Sequence, residues 1–239
     1  HLPRLLLLHG GGTNARIFRS QCRSLRAALT PYFRLVFVDA PFPSVPGPDV
    51  IKVYEKWGPF RCWIPQPPCS NAVHSRGEVV RGVQGALRKA MTDDDARGGR
   101  GEWVGVLGFS QGAKVAASLL VGMQGGRKRE GGMGLRLRFG VLLAGRAPVV
   151  RLEGEDEDED EDDGEGLEDY GAVLELPTLH VHGMRDPGLS LHRELLGICE
   201  RGTARLVEWE GEHRVPIRSA DVGVVVTEIL GMARAAGVL

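Results

Sequence analysis

Residues 108–112 read Gly-Phe-Ser-Gln-Gly and match the G-x-S-x-G pattern that surrounds nucleophilic serines. A hydroxyl on a sharp turn between a strand and a helix can attack a carbonyl carbon, and small neighbours relieve crowding in that turn. An apolar run leads into Ser110, and a helical pattern follows it at once. The context therefore predicts a serine nucleophile, and a serine that merely caps a helix is the less favoured interpretation.

A serine nucleophile needs a base and an acid that orients the base. His213 lies between the last apolar run and the last helical pattern, and Asp186 follows the run at 178–182. In a parallel α/β sheet, reactive groups collect in the loops after the carboxyl ends of strands. The chain order Ser110, Asp186, His213 is the order of α/β-hydrolases. Asp39 also ends an apolar run, but it precedes the serine and is the weaker candidate for the acid.

Most of the other histidines have structural interpretations. His9, His180 and His182 lie within or at the end of apolar runs, which predicts core or hydrogen-bonded positions. His74 and His192 open or lie on helical patterns, so we expect them at the surface.

A glycine-rich loop follows the first apolar run, where residues 9–13 read His-Gly-Gly-Gly-Thr. Backbone N–H groups can approach a tetrahedral oxyanion there because no side chain obstructs them. We expect Gly11 or Gly12 to donate one hydrogen bond and the backbone of Gln111 to donate the other. The loop alone does not exclude a dinucleotide-phosphate site, but that interpretation leaves the serine, aspartate and histidine unexplained.

Six nearly continuous apolar runs predict the strands that position these residues, because strands covered on both faces lack alternation. Between several of them, apolar residues recur at steps of three and four, which is typical of helices. The alternation predicts an α/β fold with a mostly parallel sheet of about six or more strands and helices on both faces, in one domain over 1–239. The runs lie at 5–9, 35–39, 103–109, 139–144, 178–182 and 205–209.

Residues 41–71 carry eight prolines and no helical period, which predicts an ordered, irregular excursion above the strand ends. Four large apolar residues are concentrated in it, namely Trp57, Phe60, Trp63 and Ile64. We expect them to line an acyl pocket beside the serine, or to form a small core for the excursion itself.

The net charge of −1 combines two unlike parts. Residues 153–169 hold 13 acids and no base, so the rest of the chain has 30 basic and 18 acidic residues, a net of +12. The acidic run cannot bury apolar surface, and it predicts a disordered insertion. A glycine and basic stretch at 125–134 predicts an exposed loop, and it does not indicate nucleic-acid binding because no aromatics are interleaved.

No run reaches the roughly 18 apolar residues that a membrane span needs. The four cysteines have no CxxC spacing, which predicts free thiols in a reducing, cytoplasmic compartment. We expect neither a metal nor another cofactor.

The segments LLLLHGGGTNARIF, FVDAPFP, GFSQG, PTLHVHGMRD and GEHRVP together resemble the fungal serine hydrolase family of small α/β-hydrolases, from about residue 5 to 230. The resemblance implies Ser110 as nucleophile, Asp186 as orienting acid and His213 as base, with an oxyanion hole from the glycine loop and the residue after the serine. The family usually has a bulkier residue after His-Gly, where this chain has Gly11 and Gly12. The acidic insertion has no counterpart in the resemblance.

The family includes thioesterases encoded beside fungal polyketide synthases. The resemblance therefore favours release of an acyl chain from a carrier-protein thioester, by hydrolysis or lactonisation. The basic body would attract an acidic carrier. The alternatives are a carboxylesterase acting on small or medium acyl esters and a non-catalytic binding protein with this fold. The sequence leaves the acyl group open.

Overall fold

The computed structural model describes residues 1–124, 135–152, 167–169 and 171–239. The predicted basic loop at 125–134 lies outside these residues, and so does 153–166 of the predicted acidic insertion.

Six parallel strands form the central sheet, in the order β10-β9-β6-β5-β1-β2. Each of them coincides with a predicted apolar run to within one residue at either end, so the predicted mostly parallel sheet is confirmed. The strands are β1 Arg4–Leu8, β2 Arg34–Val38, β5 Trp103–Phe109, β6 Phe139–Leu143, β9 Thr178–Gly183 and β10 Ala204–Trp209.

The first strand shows why the runs are continuous. Successive side chains of a strand point to opposite faces of the sheet. Leu6 and Leu8 pack into the core on one face, and Leu5 and Leu7 pack into the core on the other. All four leucines are buried because both faces are covered.

The helices divide between the two faces. Helices α4, α5 and α6 contribute to the core that contains Leu8, and α1, α2 and α7 contribute to the core that contains Leu7. The predicted layers are therefore confirmed. These helices span α1 Ala15–Gln21, α2 Arg23–Leu29, α4 Arg76–Ala96, α5 Gln111–Gln124, α6 Leu189–Gly197 and α7 Ser219–Ala235. None of the described helices is long and apolar enough to cross a membrane.

The excursion at 41–71 is more regular than predicted. It contains the short strands β3 Phe42–Pro43 and β4 Arg61–Cys62, which pair antiparallel with each other. Between them lie helix α3 Pro48–Tyr54 and a 3₁₀ turn, Glu55–Trp57. The expectation that the excursion has no helix was wrong, because a proline in the first turn of a helix does not interrupt it.

The described end of the acidic run is also ordered, contrary to the expectation. Glu168–Asp169 form strand β8, which pairs antiparallel with β7, Val149–Val150. Basic partners compensate both carboxylates. Lys114 Nζ lies 3.0 Å from a Glu168 carboxylate oxygen, and Arg151 Nε lies 3.8 Å from Asp169.

Candidate active site

The turn between β5 and α5 holds Ser110 in a conformation that few non-glycine residues adopt. Its φ is +53°, and its N–H donates to the carbonyl of Leu143, at the end of the neighbouring strand β6. Gly108 and Gly112 make the turn possible because their backbones lie in close contact with other backbone. A Cβ on Gly108 would collide with the Gly112 carbonyl, and one on Gly112 would collide with that of Leu8. The pattern of small residues around Ser110 is therefore a packing requirement of the turn.

Ser110, His213 and Asp186 are joined by hydrogen bonds in series. His213 Nε2 lies 2.9 Å from Ser110 Oγ, and His213 Nδ1 lies 2.6 Å from Asp186 Oδ2. All three residues follow carboxyl ends of parallel strands, those of β5, β9 and β10. The structure thus brings together three residues that are separated by up to 103 positions in the chain.

The Asp186 carboxylate is enclosed, with none of its side-chain surface exposed. Burial alone would raise the pKa of Asp186, but the hydrogen bonds from His213 and from the Gly188 N–H outweigh it and hold that pKa below its usual range. The Gly188 N–H donates to Oδ1 at 2.8 Å, which leaves Oδ2 to His213. The ionised carboxylate therefore fixes the imidazole with Nδ1 as donor and Nε2 free to accept the serine proton.

Of the two alternative glycine donors, Gly11 and Gly12, only Gly11 has a backbone N–H without an acceptor among the described residues. Gly12 has a φ of +73° and its N–H donates to the Arg61 carbonyl at 3.0 Å, so it is already engaged in holding the excursion. Gly11 and Gln111 have backbone N–H groups with no acceptor among the described residues, and both residues line the same cavity as Ser110. Their N–H groups remain the candidates for binding an oxyanion.

His9 shapes this loop from within the core. Its Nε2 accepts from the Ala40 N–H at 3.0 Å, so Nδ1 carries the proton and donates to the Gly10 carbonyl at 2.8 Å. The Thr13 hydroxyl donates to the same carbonyl. Burial lowers the pKa of His9 to about 4, which keeps the ring neutral near pH 7. The predicted structural position of His9 agrees with these contacts.

The side chain of Gln111 has a second role that the sequence pattern did not indicate. Its Oε1 accepts from the N–H groups of Trp63 and Ile64 at 2.7 and 3.3 Å, and its Nε2 donates to the Ile64 carbonyl at 2.8 Å. The residue after the nucleophile therefore ties the excursion to the turn that carries Ser110.

A cavity of about 1060 Å³ opens above Ser110 and His213. The excursion lines it as predicted, but with other residues, namely Val45, Pro46, Gly47, Val50, Lys52, Val53, Tyr54, Gln66, Pro67, Pro68 and Cys69. Aliphatic side chains and prolines beside Ser110 and His213 give the mainly apolar lining, with a few polar groups, that is typical of ligand pockets.

The four predicted pocket residues do not line this cavity. Trp63 and Ile64 are buried in the core, and the Trp63 indole N–H donates to the His9 carbonyl at 2.8 Å. Trp57 packs against the Arg16 guanidinium and the Tyr54 ring. Phe60 is half-buried outside the cavity wall. The pocket prediction is corrected accordingly, because these large side chains anchor the excursion and turn its smaller residues toward the cavity.

His192, expected at the surface, is instead buried beside Asp186 and His213. Its Nε2 lies 3.6 Å from Asp186 Oδ2, and neither ring nitrogen has a hydrogen-bond partner among the described residues. Ligand atoms of Asp186, His192 and His213 lie within 4.8 Å of one another, a spacing that a metal ion could bridge. In this structure His213 makes hydrogen bonds through both nitrogens, which is the arrangement of a base rather than of a ligand. The helical pattern around His192 does not distinguish a buried histidine from an exposed one, so the sequence could not predict its burial.

A parallel sheet with helices on both faces, a serine on a strained strand-to-helix turn, and a histidine and aspartate after later strands define the chain as an α/β-hydrolase. The profile of the serine hydrolase (FSH1) family matches residues 1–225, and the chain belongs to that family. The resemblance seen in the sequence is thereby confirmed, and the chain is a serine hydrolase.

Fungal relatives agree with this assignment. A probable esterase, azaC, of Aspergillus niger is 54% identical over 241 residues, covering 100% of this chain and 88% of the relative. The esterase dbaE of Emericella nidulans is 48% identical, covering 100% of this chain and 93% of the relative. The esterase pigG of Monascus ruber is also 48% identical, at 100% and 94% coverage.

Solved structures share the fold at low sequence identity. A carboxylesterase from Mesorhizobium loti has a TM-score of 0.57 at 16% identity, covering 96% of this chain and 88% of the other. The Arabidopsis thaliana protein SOBER1 has a TM-score of 0.53 at 17% identity, covering 97% and 99%.

Proposed function

We propose that this serine hydrolase cleaves acyl thioesters and releases an acyl chain, of polyketide or fatty acyl type, from an acyl carrier protein. The observation that carries the proposal is the series of hydrogen bonds from Asp186 through His213 to Ser110, opening into a large, mainly apolar cavity. Ser110 is the nucleophile, His213 the base and Asp186 the orienting acid.

The reaction has two stages. Ser110 Oγ attacks the acyl carbonyl carbon while His213 Nε2 takes the hydroxyl proton, and the N–H groups of Gly11 and Gln111 stabilise the oxyanion. The thiol leaves with the proton from His213, and an acyl-enzyme remains. Water, or a hydroxyl on the acyl chain itself, then attacks the acyl-enzyme with the same base, which yields an acid or a lactone.

The charge of the molecule supports a carrier protein as the partner. Arg23 and Lys52 lie at the cavity, are exposed and make no ion pair among the described residues. Outside residues 153–169 the chain carries a net charge of +12. An acidic carrier would be attracted to this surface, and the association rate would fall with added salt. All four cysteines are free thiols, in keeping with the cytoplasm as the proposed compartment.

The second candidate is a carboxylesterase acting on small or medium acyl esters. It uses the same three residues and differs only in its leaving group. The description of the fungal relatives as esterases favours it.

The role of Ser110 is tested by labelling the protein with a fluorophosphonate and locating the modified residue. We expect the label on Ser110, and no label and no hydrolysis in Ser110→Ala. Ser75→Ala is the matched control, because Ser75 caps helix α4 away from the cavity and its loss should leave labelling intact. Absence of label on Ser110 in the folded wild type would favour a non-catalytic binding protein.

The leaving group is tested with one acyl chain presented in two ways. Hexanoyl pantetheine and its oxygen-ester analogue differ only in the atom that joins the acyl group to the arm. The proposal predicts a higher kcat/KM for the thioester. A many-fold preference for the oxygen ester would contradict it and support the carboxylesterase.

A further inference from the structure

One arginine in the cavity wall, Arg146, takes no part in the proposed reaction. Arg146 follows strand β6 and lines the cavity together with Ala147, Ser110 and His213. It leaves the same carboxyl edge of the sheet as the catalytic groups, two residues after Ala144, whose φ is +48°. The wall beside it is apolar, formed by Ala147 and by Leu191 of helix α6.

Arg146 has no hydrogen-bond acceptor or carboxylate partner among the described residues. Its Nε is buried from solvent. Two other cations of the cavity are neutralised, since Lys114 pairs with Glu168 at 3.0 Å and Arg214 pairs with Glu212. A buried N–H of a charged group destabilises the fold when it makes no hydrogen bond. An acceptor from a bound molecule would therefore be favoured at Arg146.

The chain leaves room for this guanidinium beside the catalytic acid. A Cβ on Gly188 would lie 2.7 Å from Arg146 Nη2 and 2.9 Å from Nε, so the group lies directly against the turn that holds Asp186. Burial is the main cause that lowers the pKa of His192, and the charge of Arg146 adds to it. The positive charge of Arg146 therefore acts on His192, which lies beside Asp186.

We propose that Arg146 binds an anionic group of the substrate, a carboxylate or a phosphate, while the acyl carbonyl reacts at Ser110. A guanidinium presents paired donors that match the two oxygens of such groups, and the apolar surroundings strengthen the contact. Arg146 is thus a specificity-determining residue. The inference rests on the proposed function, because it assumes that the acyl group is cleaved at Ser110.

The anion has two possible sources, which two pairs of substrates separate. p-Nitrophenyl hexanoate and mono-p-nitrophenyl adipate have acyl chains of equal length, and only the second carries a carboxylate at the far end. Hexanoyl pantetheine and hexanoyl 4′-phosphopantetheine share the acyl chain, and only the second carries a phosphate on the leaving group. In each pair the measured quantity is the ratio of kcat/KM for the anionic substrate to that for the less charged one.

We expect Arg146→Gln to lower this ratio about 10- to 100-fold in one of the pairs, the range for a hydrogen bond between charged groups. Arg146→Lys should retain part of it, since it keeps the charge but not the paired donors. Arg201→Gln is the matched control, because Arg201 is an exposed arginine that does not line the cavity, and its loss should leave the ratio nearly unchanged. Melting temperatures of all variants verify that they fold.

Each outcome decides. If the ratio falls only for the adipate pair, Arg146 binds a carboxylate of the acyl chain. If the ratio falls only for the pantetheine pair, Arg146 binds a phosphate of the carrier arm. An equal loss for both members of each pair, or an equal effect of Arg201→Gln, overturns the inference and leaves Arg146 a structural residue. Failure of the proposed function would appear separately, as hydrolysis of the neutral ester that survives Ser110→Ala.

Discussion

The two walls of the cavity are held in place in different ways. One wall carries Ser110, Asp186 and His213, the residues proposed to catalyse the reaction, and is called the catalytic wall. It consists of loops that leave neighbouring strands of one sheet, and backbone hydrogen bonds between strand ends fix it, as between Ser110 and Leu143. The opposite wall is the excursion at 41–71, whose strands form a separate two-stranded sheet. Side chains such as Gln111 tie it to the catalytic wall. Sheet topology thus places Ser110, Asp186 and His213, whereas the excursion is placed by hydrogen bonds to the glycine loop and to the Gln111 side chain.

The largest expected effect is at Asp186 on the catalytic wall. Asp186→Asn keeps the size of the side chain but removes the charge that holds His213 with Nδ1 as donor. We expect kcat to fall about 10⁴-fold, the loss seen when the acid of such a triad becomes an amide. Steady-state kinetics with a p-nitrophenyl ester measure it.

Asp39→Asn is the matched control, since this aspartate also ends a strand of the sheet. Its Oδ1 accepts from the Ala15 N–H at the start of helix α1, at 2.8 Å, which asparagine can also do. We expect kcat to change less than about threefold. A comparable loss in both variants would mean that a general effect on the sheet edge, and not the orientation of His213, controls catalysis.

The next effect concerns the glycines that bring the catalytic wall together. Gly112→Ala would press a methyl group against the Leu8 carbonyl, in a region where backbone cannot withdraw. We expect the free energy of unfolding to fall by about 3 kcal/mol, the upper end of the 1–3 kcal/mol typical of inserting a methyl group into close-packed structure, because the contact is with backbone. Chemical denaturation measures it.

Gly85→Ala provides the opposite case. Gly85 lies within helix α4, and a Cβ there meets nothing within 4 Å. Because alanine is the better helix former, this variant should gain up to about 1 kcal/mol. Equal destabilisation by the two substitutions would show that glycine content as such, and not the close contact at the turn, matters.

The catalytic wall was predictable from the sequence for a physical reason. Its residues stand next to continuous apolar runs, and parallel strands bring the ends of those runs to one edge whatever the intervening loops contain. The positions of Ser110, Asp186 and His213 therefore followed from the predicted strands together with the G-x-S-x-G pattern and the chain order of the three residues. The strained φ of Ser110 could be anticipated because Gly108 and Gly112 flank it.

The excursion wall was not predictable in the same way. Trp57 and Trp63 are large and apolar, and composition cannot tell whether such residues face a cavity or anchor a loop. The choice depends on distant contacts, such as the bond from the Trp63 indole to His9 and the position of Arg16 over Trp57. The same holds for His192, which a helical pattern placed at the surface and tertiary packing buried.

A smaller effect is expected at the tether between the two walls. Gln111→Ala removes three hydrogen bonds to Trp63 and Ile64 and leaves the backbone N–H of residue 111 in place. At about 1 kcal/mol each, the excursion should open 2–3 kcal/mol more easily. We expect the amides of Trp63 and Ile64 to exchange hydrogen about 30- to 100-fold faster, and KM to rise more than kcat falls.

Gln84→Ala is the control for this change. Gln84 donates a single hydrogen bond to the Leu152 carbonyl, at 3.1 Å, and does not line the cavity. Exchange at Trp63 and Ile64 should stay at the wild-type rate in this variant. If Gln111→Ala also left that exchange unchanged, the excursion would be held by its own packing and the contrast between the two walls would disappear.

The smallest expected effect is on the pH dependence of stability, and it concerns His192. This residue is buried next to the catalytic wall, and its ring nitrogens have no hydrogen-bond partners among the described residues. Burial is the largest cause that lowers its pKa, to about 4, although Asp186 acts against it; His182, His213 and Arg146 lower it further. The unfolded chain has a histidine pKa near 6.5, so between about pH 6.5 and pH 4 it binds a proton there that the folded chain does not. Stability must therefore fall as the pH falls through this range.

His192→Leu removes that proton uptake and also removes two unsatisfied polar atoms. Between pH 7.5 and pH 5 we expect the free energy of unfolding of the wild type to decline by about 2 kcal/mol more than that of the variant. Leu195→Ala, in the same helix, is the control: it empties a buried position and should destabilise equally at both pH values. Parallel pH profiles for wild type and His192→Leu would mean that His192 takes up its proton without unfolding, and that the catalytic wall tolerates a charge beside Asp186.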